Sequence, residues 1–203
     1  MKTSRLVGTA ALLAVTAFGA QSALAYQAGD FYVRGGFEKS DPESGNGALY
    51  GDDINVSEDT GFAYGMGYLF HNKLGVELNG SQTMDQDLTA GNTGLGGSFD
   101  STPINLMLNY YPLGGISDAR VHPYAGIGVN YTHFDNESFN ADLDESWGFA
   151  GQVGVDLSVT DNLLVGTWAR YADVDTDVDI DGTYKTRLDI DPVTVGAGVT
   201  YRF

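Results

Sequence analysis

In FAYGMGYLF (62–70) every large apolar residue, Phe62, Tyr64, Met66, Tyr68 and Phe70, stands two positions from the next, with Ala63, Gly65, Gly67 and Leu69 between them. A period of two puts the two sets on opposite faces of a strand. INLMLNY (104–110) repeats the pattern, with Ile104, Leu106, Leu108 and Tyr110 against Asn105, Met107 and Asn109. So does SWGFAGQVGVDL (146–157), with Trp147, Phe149, Val153, Val155 and Leu157 against Gly148, Ala150, Gln152, Gly154 and Asp156. Eight such segments are predicted, near 29–38, 61–70, 74–83, 102–111, 121–132, 146–158, 163–172 and 186–203. A soluble β-sandwich also alternates faces. Two features point instead to an all-β, eight-stranded antiparallel transmembrane β-barrel. Aromatics cluster at the ends of the apolar face (Phe31, Phe62, Phe70, Tyr110, Trp147, Tyr171, Tyr201, Phe203), as interface girdles require. The connections also alternate, with 71–73, 112–120 and 159–162 shorter than 39–60, 84–101, 133–145 and 173–185, the asymmetry of periplasmic turns and extracellular loops.

The first 25 residues have Lys2 and Arg5, an apolar run from Leu6 to Phe18 and an Ala23-Leu24-Ala25 cleavage pattern. That combination predicts a secretory signal peptide over 1–25 and a mature barrel over 26–203, since the run is too short for a spanning helix. The charge of −17 becomes −19 once Lys2 and Arg5 are removed, leaving 8 basic and 27 acidic residues. Phosphate contacts need a basic surface, so nucleic acid is excluded as a partner. With no cysteine in the chain, disulfides and thiolate metal sites are excluded as well. His71, His122 and His133 are too few and too scattered for a common metal set. They read as solvated residues of turns and a loop, and catalysis is not expected. Acid pairs such as Asp52-Asp53 and Asp144-Glu145 read as solvated loop faces.

By strand parity the inward positions include Tyr32, Arg34, Glu77, Asn79, Asn105, Asn109, Gln152, Asp156, Trp168, Arg170 and Arg202. An eight-stranded barrel has room for its own side chains or one small ligand. Arg34, Glu77, Asp156 and Arg202 are expected to pair as a plug, because an unpaired buried charge costs several kcal/mol, about 3–5. Arg170 and Asn79 are expected near the outer end, where they would line the channel with polar groups.

DVDTDVDIDG (173–182) continues the outward parity of Leu163, Val165, Thr167, Ala169 and Tyr171 into Asp173, Asp175, Asp177, Asp179 and Asp181. Carboxylates are expensive in hydrocarbon, so the change marks the membrane exit, with Tyr171 as interface anchor. An EF-hand is excluded, since the twelfth position from Asp177 is Leu188 where a bidentate Glu is needed. A three-residue loop at 181–183 predicts a hairpin strand with Val174, Thr176, Val178 and Ile180 on its inside, Ile180 opposite Tyr184, Val178 opposite Thr186 and Val174 opposite Ile190, and on its outside Asp179 opposite Lys185, Asp177 opposite Arg187, Asp175 opposite Asp189 and Asp173 opposite Asp191. Pro192 could insert a bulge into this pairing. Like charges face one another at Asp173, Asp175, Asp189 and Asp191, and solvation or a shared calcium or magnesium ion at the surface loops would offset their repulsion. The return strand is expected to put Gly196 opposite the Trp168 indole.

PYAGIGVNYTHF (123–134), SWGFAGQVGVDLSVTDNLLV (146–165), LGVEL (74–78), RLDIDP (187–192) and the closing YRF resemble the OmpW family of outer-membrane proteins over nearly all of the mature chain. The resemblance implies an eight-stranded barrel in the outer membrane of a Gram-negative bacterium, with both termini in the periplasm. It also implies passive passage of small, hydrophobic molecules, sometimes released sideways into the membrane, and an apolar lining where this chain has Arg170 and Asn79. Tyr201 and Phe203 resemble the C-terminal signal read by the outer-membrane assembly machinery. Partners so implied are membrane lipid and lipopolysaccharide, that machinery and a small apolar solute. The competing expectation is a non-conducting structural or adhesive barrel whose acidic loops bind partners or divalent cations.

Overall fold

The computed structural model describes residues 26–42, 48–49, 52–90, 96–116, 118–135, 141–143, 145–180 and 184–203. The predicted signal peptide, the 181–183 loop and Asp144 lie outside them. The described residues form strands β1 (Phe31–Asp41), β2 (Ala48–Leu49), β3 (Asp52–Val56), β4 (Asp59–His71), β5 (Leu74–Ser81), β6 (Met84–Ala90), β7 (Gly96–Tyr110), β8 (Val121–Asp135), β9 (Ala141–Leu143), β10 (Ser146–Ser158), β11 (Leu163–Ala172), β12 (Asp175–Ile180), β13 (Tyr184–Asp189) and β14 (Val193–Arg202). Eight of them, β1, β4, β5, β7, β8, β10, β11 and β14, pair antiparallel around a closed ring. Closure falls between the first and last strands, where Gly35 lies opposite Val199. A closed ring leaves no unpaired edge, which the hydrocarbon layer requires.

Alternation sets which residues face where. Phe62, Tyr64, Met66, Tyr68 and Phe70 are all exposed on the outer wall, whereas Ala63 and Leu69 are buried. Phe31, Tyr110, Trp147, Tyr171, Tyr201 and Phe203 are exposed at the strand ends, as expected. An apolar surface of this extent on the outside of a folded chain is one that lipid covers. Inward glycines make space for large neighbours on the next strand. A Cβ on Gly196 would lie 2.4 Å from the Trp168 indole, and one on Gly67 would lie 2.2 Å from the Tyr32 ring. Trp168 therefore stands opposite Gly196, as the sequence predicts.

Short turns join the strands at one end of the barrel, around Asn72, residues 111–116 with 118–120, and 159–162. At the other end the sheet outgrows the ring. β6 pairs with β7 and β3, β2 pairs with β3, and β9, β12 and β13 form a separate three-stranded sheet. The predicted register of 175–189 holds at every described pair, including Asp175 opposite Asp189 and Asp179 opposite Lys185. One expectation is corrected: residues 163–180 and 186–203 are not unbroken strands. The ladder lapses at 173–174 and again at 190–192. Pro192 has no N–H to donate, Asp191 takes a positive φ of 39°, and Asp173 donates its N–H to the Phe149 carbonyl rather than pairing with Asp191.

Candidate functional site

The lumen has three levels. The lowest, at the turn end, is a buried cluster of Tyr26, Tyr32, Leu69, Tyr111, Tyr124 and Leu164 surrounding the Arg34 guanidinium. Arg34 reaches Asp156 at 2.8 Å and Glu77 at 3.7 Å, and donates to the Tyr124 hydroxyl at 2.7 Å and Thr200 Oγ1 at 3.0 Å. Tyr26 donates to Asp156 at 2.9 Å, and Tyr32 donates to Glu77. The central three members of the predicted plug, Arg34, Glu77 and Asp156, do come together. Arg202 does not join them. It lies at the turn end beside Asp30, 3.6 Å away, and donates to the Asp161 carbonyl. Strand β14 ends there, so its last inward residue caps the mouth instead of filling the middle.

Above this, Glu77 terminates a line of amides. Thr132 donates to Asn130, Asn130 to Asn105, Asn105 to Asn79 and Asn79 to Glu77, at 2.8, 2.9, 3.1 and 2.8 Å. Gln152 donates to Asn109, which donates to Glu77 in turn. A carboxylate with these donors and Arg34 beside it meets the requirement for a charge taken out of water. At the same level Trp168 Nε1 donates to Glu38 at 2.9 Å, and Arg170 lies 3.5 Å from both Glu38 and the Gln152 carbonyl. Arg170 and Asn79 are thus tied into the packed interior through Gln152.

The third level corrects the expectation of a polar lining at the outer end. Met84, Phe99, Phe134, Ala172, Val174 and Ile190 are buried and inward there. Val174 and Ile190 face inward opposite one another, as the hairpin register predicts, whereas Met84, Phe99 and Phe134 come from segments the alternation had left as loops, so the apolar surface lies beyond Arg170, not at its height. Between the levels is a cavity of about 30 Å³, lined by Glu38, Arg170 and other polar groups below, by Met84, Phe134, Val174 and Ile190 among the apolar ones, and by Gln86 two residues farther toward the loop end than Met84.

Sequence reasoning missed Glu38, Tyr26 and His122. Glu38 shares the parity of Tyr32 and Arg34 and is the last residue of the predicted segment 29–38, so the same parity already marked it as inward. Tyr26 carried no signal, because it precedes the first strand. His122 was expected to be solvated, but it is 1% exposed, edge-on to the Tyr26 ring, with Nε2 2.9 Å from Ser158 Oγ. Parity places it inward opposite Asp156. His133, by contrast, is partly exposed beside Asp135 and Glu145.

Of the four rim aspartates, Asp173, Asp175 and Asp191 bring carboxylate oxygens within 4.8 Å of one another. The Asp189 side chain lies outside the described residues. Asp191 accepts from the Val174 N–H at 3.0 Å and the Tyr171 hydroxyl at 3.2 Å. Solvated carboxylates gather in this way without an ion, and the group supports no function by itself.

Residues 27–203 match the model of the OmpW family. Outer membrane protein W of Salmonella typhi is 36% identical over 180 residues, which is 83% of this chain and 84% of that protein. The crystal structure of the outer membrane protein OprG from Pseudomonas aeruginosa superposes with a TM-score of 0.78 at 29% identity, covering 88% of this chain and 98% of that one. The solution structure of E. coli outer membrane protein W gives 0.65 at 29% identity, covering 88% and 100%. The chain belongs to the OmpW family: it is a barrel of the Gram-negative outer membrane and not an enzyme.

Proposed function

We propose that this OmpW-family barrel passes small, hydrophobic molecules across the outer membrane, with its turn end in the periplasm and its loop end outside. The observation that supports this reading is the apolar collar of Met84, Phe134, Val174 and Ile190 at the loop end of an otherwise polar lumen. Inward apolar side chains at a water-facing end would be needless in a purely structural barrel. As the lining of an entrance they exclude ions and favour an apolar solute. Below the collar the ion-paired plug closes the axis, so ionic current through it is expected to be small.

Reconstituted protein tests this. Proteoliposomes containing the chain should take up an apolar dye faster than empty ones, and Val174→Asp should abolish the difference while leaving folded barrel in the membrane. Equal uptake with and without protein would favour the rival reading of a non-conducting barrel, which the tightly filled plug makes a specific alternative. For assembly, Tyr201 and Phe203 end the lipid-facing row of β14. Deleting Phe203 is expected to lower the yield of heat-modifiable, folded protein, because the assembly machinery reads that terminal aromatic. Unchanged yield would remove that role.

A further inference from the structure

The rim above the barrel is built differently on its two sides. On one side β7 and β8, 15 residues each, run unbroken from the barrel to the loop end and stay paired as far as Asp100 opposite Asp135. Met84, Phe99 and Phe134 face inward from that side. On the other side β9, β12 and β13 form a sheet of their own, with no ladder to the larger sheet among the described residues. Strands β12 and β13 keep the register of β11 and β14 below them, Asp175 opposite Asp189 following Tyr171 opposite Val193. Between those two pairs the ladder is thinned. Pro192 has no N–H to give, the Val174 N–H goes to the Asp191 carboxylate at 3.0 Å, and Asp191 itself has a φ of 39°, where a side chain is rarely tolerated. What crosses from strand to strand is the Ala172 N–H to the Pro192 carbonyl at 3.3 Å and the Ile190 N–H to the Val174 carbonyl at 2.9 Å. Two of the collar residues, Val174 and Ile190, stand in this gap.

We propose that the β9, β12 and β13 sheet is a lid hinged at 173–174 and 190–192, whose swing draws Val174 and Ile190 away from Met84 and Phe134 and admits solute. The proposal rests on the apolar-passage reading and supplies its gate. The cavity under the closed collar is about 30 Å³, against roughly 300 Å³ for a small ligand pocket, so the collar has to part before an apolar molecule can enter. Parting it at Met84 and Phe134 would break the continuous ladders that join β6, β7 and β8. Parting it at Val174 and Ile190 bends the chain where the ladder is already interrupted, which is how hinges absorb motion. Asp191 is the latch. Its carboxylate accepts from the Val174 N–H and, at 3.2 Å, from the hydroxyl of Tyr171 on the barrel wall, so it ties the moving lip to the fixed one below. The Asp173 N–H is held by the Phe149 carbonyl at 2.8 Å, which sets the lower limit of the motion.

Amide exchange and dye uptake by the full mature chain test the lid. In lipid nanodiscs, residues 175–180 and 184–189 should exchange together, with protection about tenfold or more below that of 98–101 and 131–135 on the unbroken side of the rim, because an opening lid exposes its amides as one unit. Pro192→Val supplies the N–H missing opposite Ala172. It should slow that exchange, and the uptake of an apolar dye by proteoliposomes, about twofold to tenfold, the worth of one hydrogen bond. Asp191→Ala unfastens Val174 and should speed both. Should Pro192→Val give no folded barrel, Asp191→Ala decides alone: faster exchange with faster uptake supports the lid, and neither overturns it. Equal protection on the two sides of the rim in the parent would also overturn the lid. Slower exchange in Pro192→Val with uptake at the parent rate would overturn the gate and leave apolar passage standing. Uptake by the parent no faster than by empty liposomes would overturn the passage and the gate with it.

Discussion

The two ends of the lumen handle their carboxylates in opposite ways. At the turn end, Glu77 and Asp156 are almost fully buried, and each is within reach of Arg34 and bonded to tyrosines or amides. At the loop-end rim, acid faces acid: Asp85 lies opposite Asp100, Asp175 opposite Asp189, and Asp173 near Asp191. Burial makes compensation obligatory, because an unpaired charge away from water costs several times what a like-charge pair costs in water, about 3–5 kcal/mol against about 1 or less. The rim can carry surplus charge since solvent screens it. Stability is therefore concentrated at the plug, and the rim is free to vary.

Removing Arg34 should break the contrast most severely. Arg34→Met leaves Glu77 and Asp156 facing each other without their cation, and a loss of about 3–5 kcal/mol is expected, measured by urea unfolding of the folded band in detergent. Asp156→Asn added to Arg34→Met should recover part of it. A single variant as stable as the parent would show that the tyrosines and amides alone hold the cluster.

At the rim the sign should reverse. Asp175→Asn relieves a like-charge pair across β12 and β13 and should stabilise their hairpin by about 0.2–1 kcal/mol, seen as slower amide exchange over 175–180. Destabilisation by that change would mean that the favourable contacts of the carboxylate outweigh the repulsion.

A smaller effect follows from Asp85. Its hydrogen bond with Asp100, and then the repulsion from that neighbouring carboxylate, hold its pKa above the ordinary range. The folded state thus binds this proton more tightly than the unfolded chain does. Its contribution is present below the ordinary carboxylate range and is lost as pH rises through the raised value. Amide protection across β6 and β7, corrected for intrinsic exchange, should be greater at about pH 4 than at neutrality, and Asp85→Asn should flatten the dependence. A profile unaltered by that change would place the titration elsewhere.

The last comparison is with a divalent ion, which would give the rim the compensation that the plug already has. The thermal midpoint is expected to be the same in calcium, magnesium and chelator. A shift of several degrees that disappears in Asp175→Asn with Asp191→Asn would instead establish an ion among the three carboxylates.

Alternation alone was enough to read the wall of this protein. Phe62 to Phe70 on the outside, Tyr32 and Arg34 on the inside and the 175–189 register all follow from a two-residue repeat and a turn length, which are local properties. The grouping of Arg34 with Glu77 and Asp156 was legible for a related reason, since inward charges in a narrow barrel must meet. Arg202 was misplaced because parity specifies a face and not a height. Glu38 as the partner of Trp168 and Arg170, and Tyr26 as the stopper on Asp156, required knowing which strands lie across the lumen and how far each is staggered. The collar was the least legible part. Val174 opposite Ile190 followed from parity and the hairpin register, but Met84 and Phe134 stand in stretches where the repeat is short, and only the extension of β6, β7 and β8 beyond the ring turns them inward. Strand periodicity is set by each residue's own backbone, whereas contact across a barrel depends on closure and shear, to which the whole chain contributes.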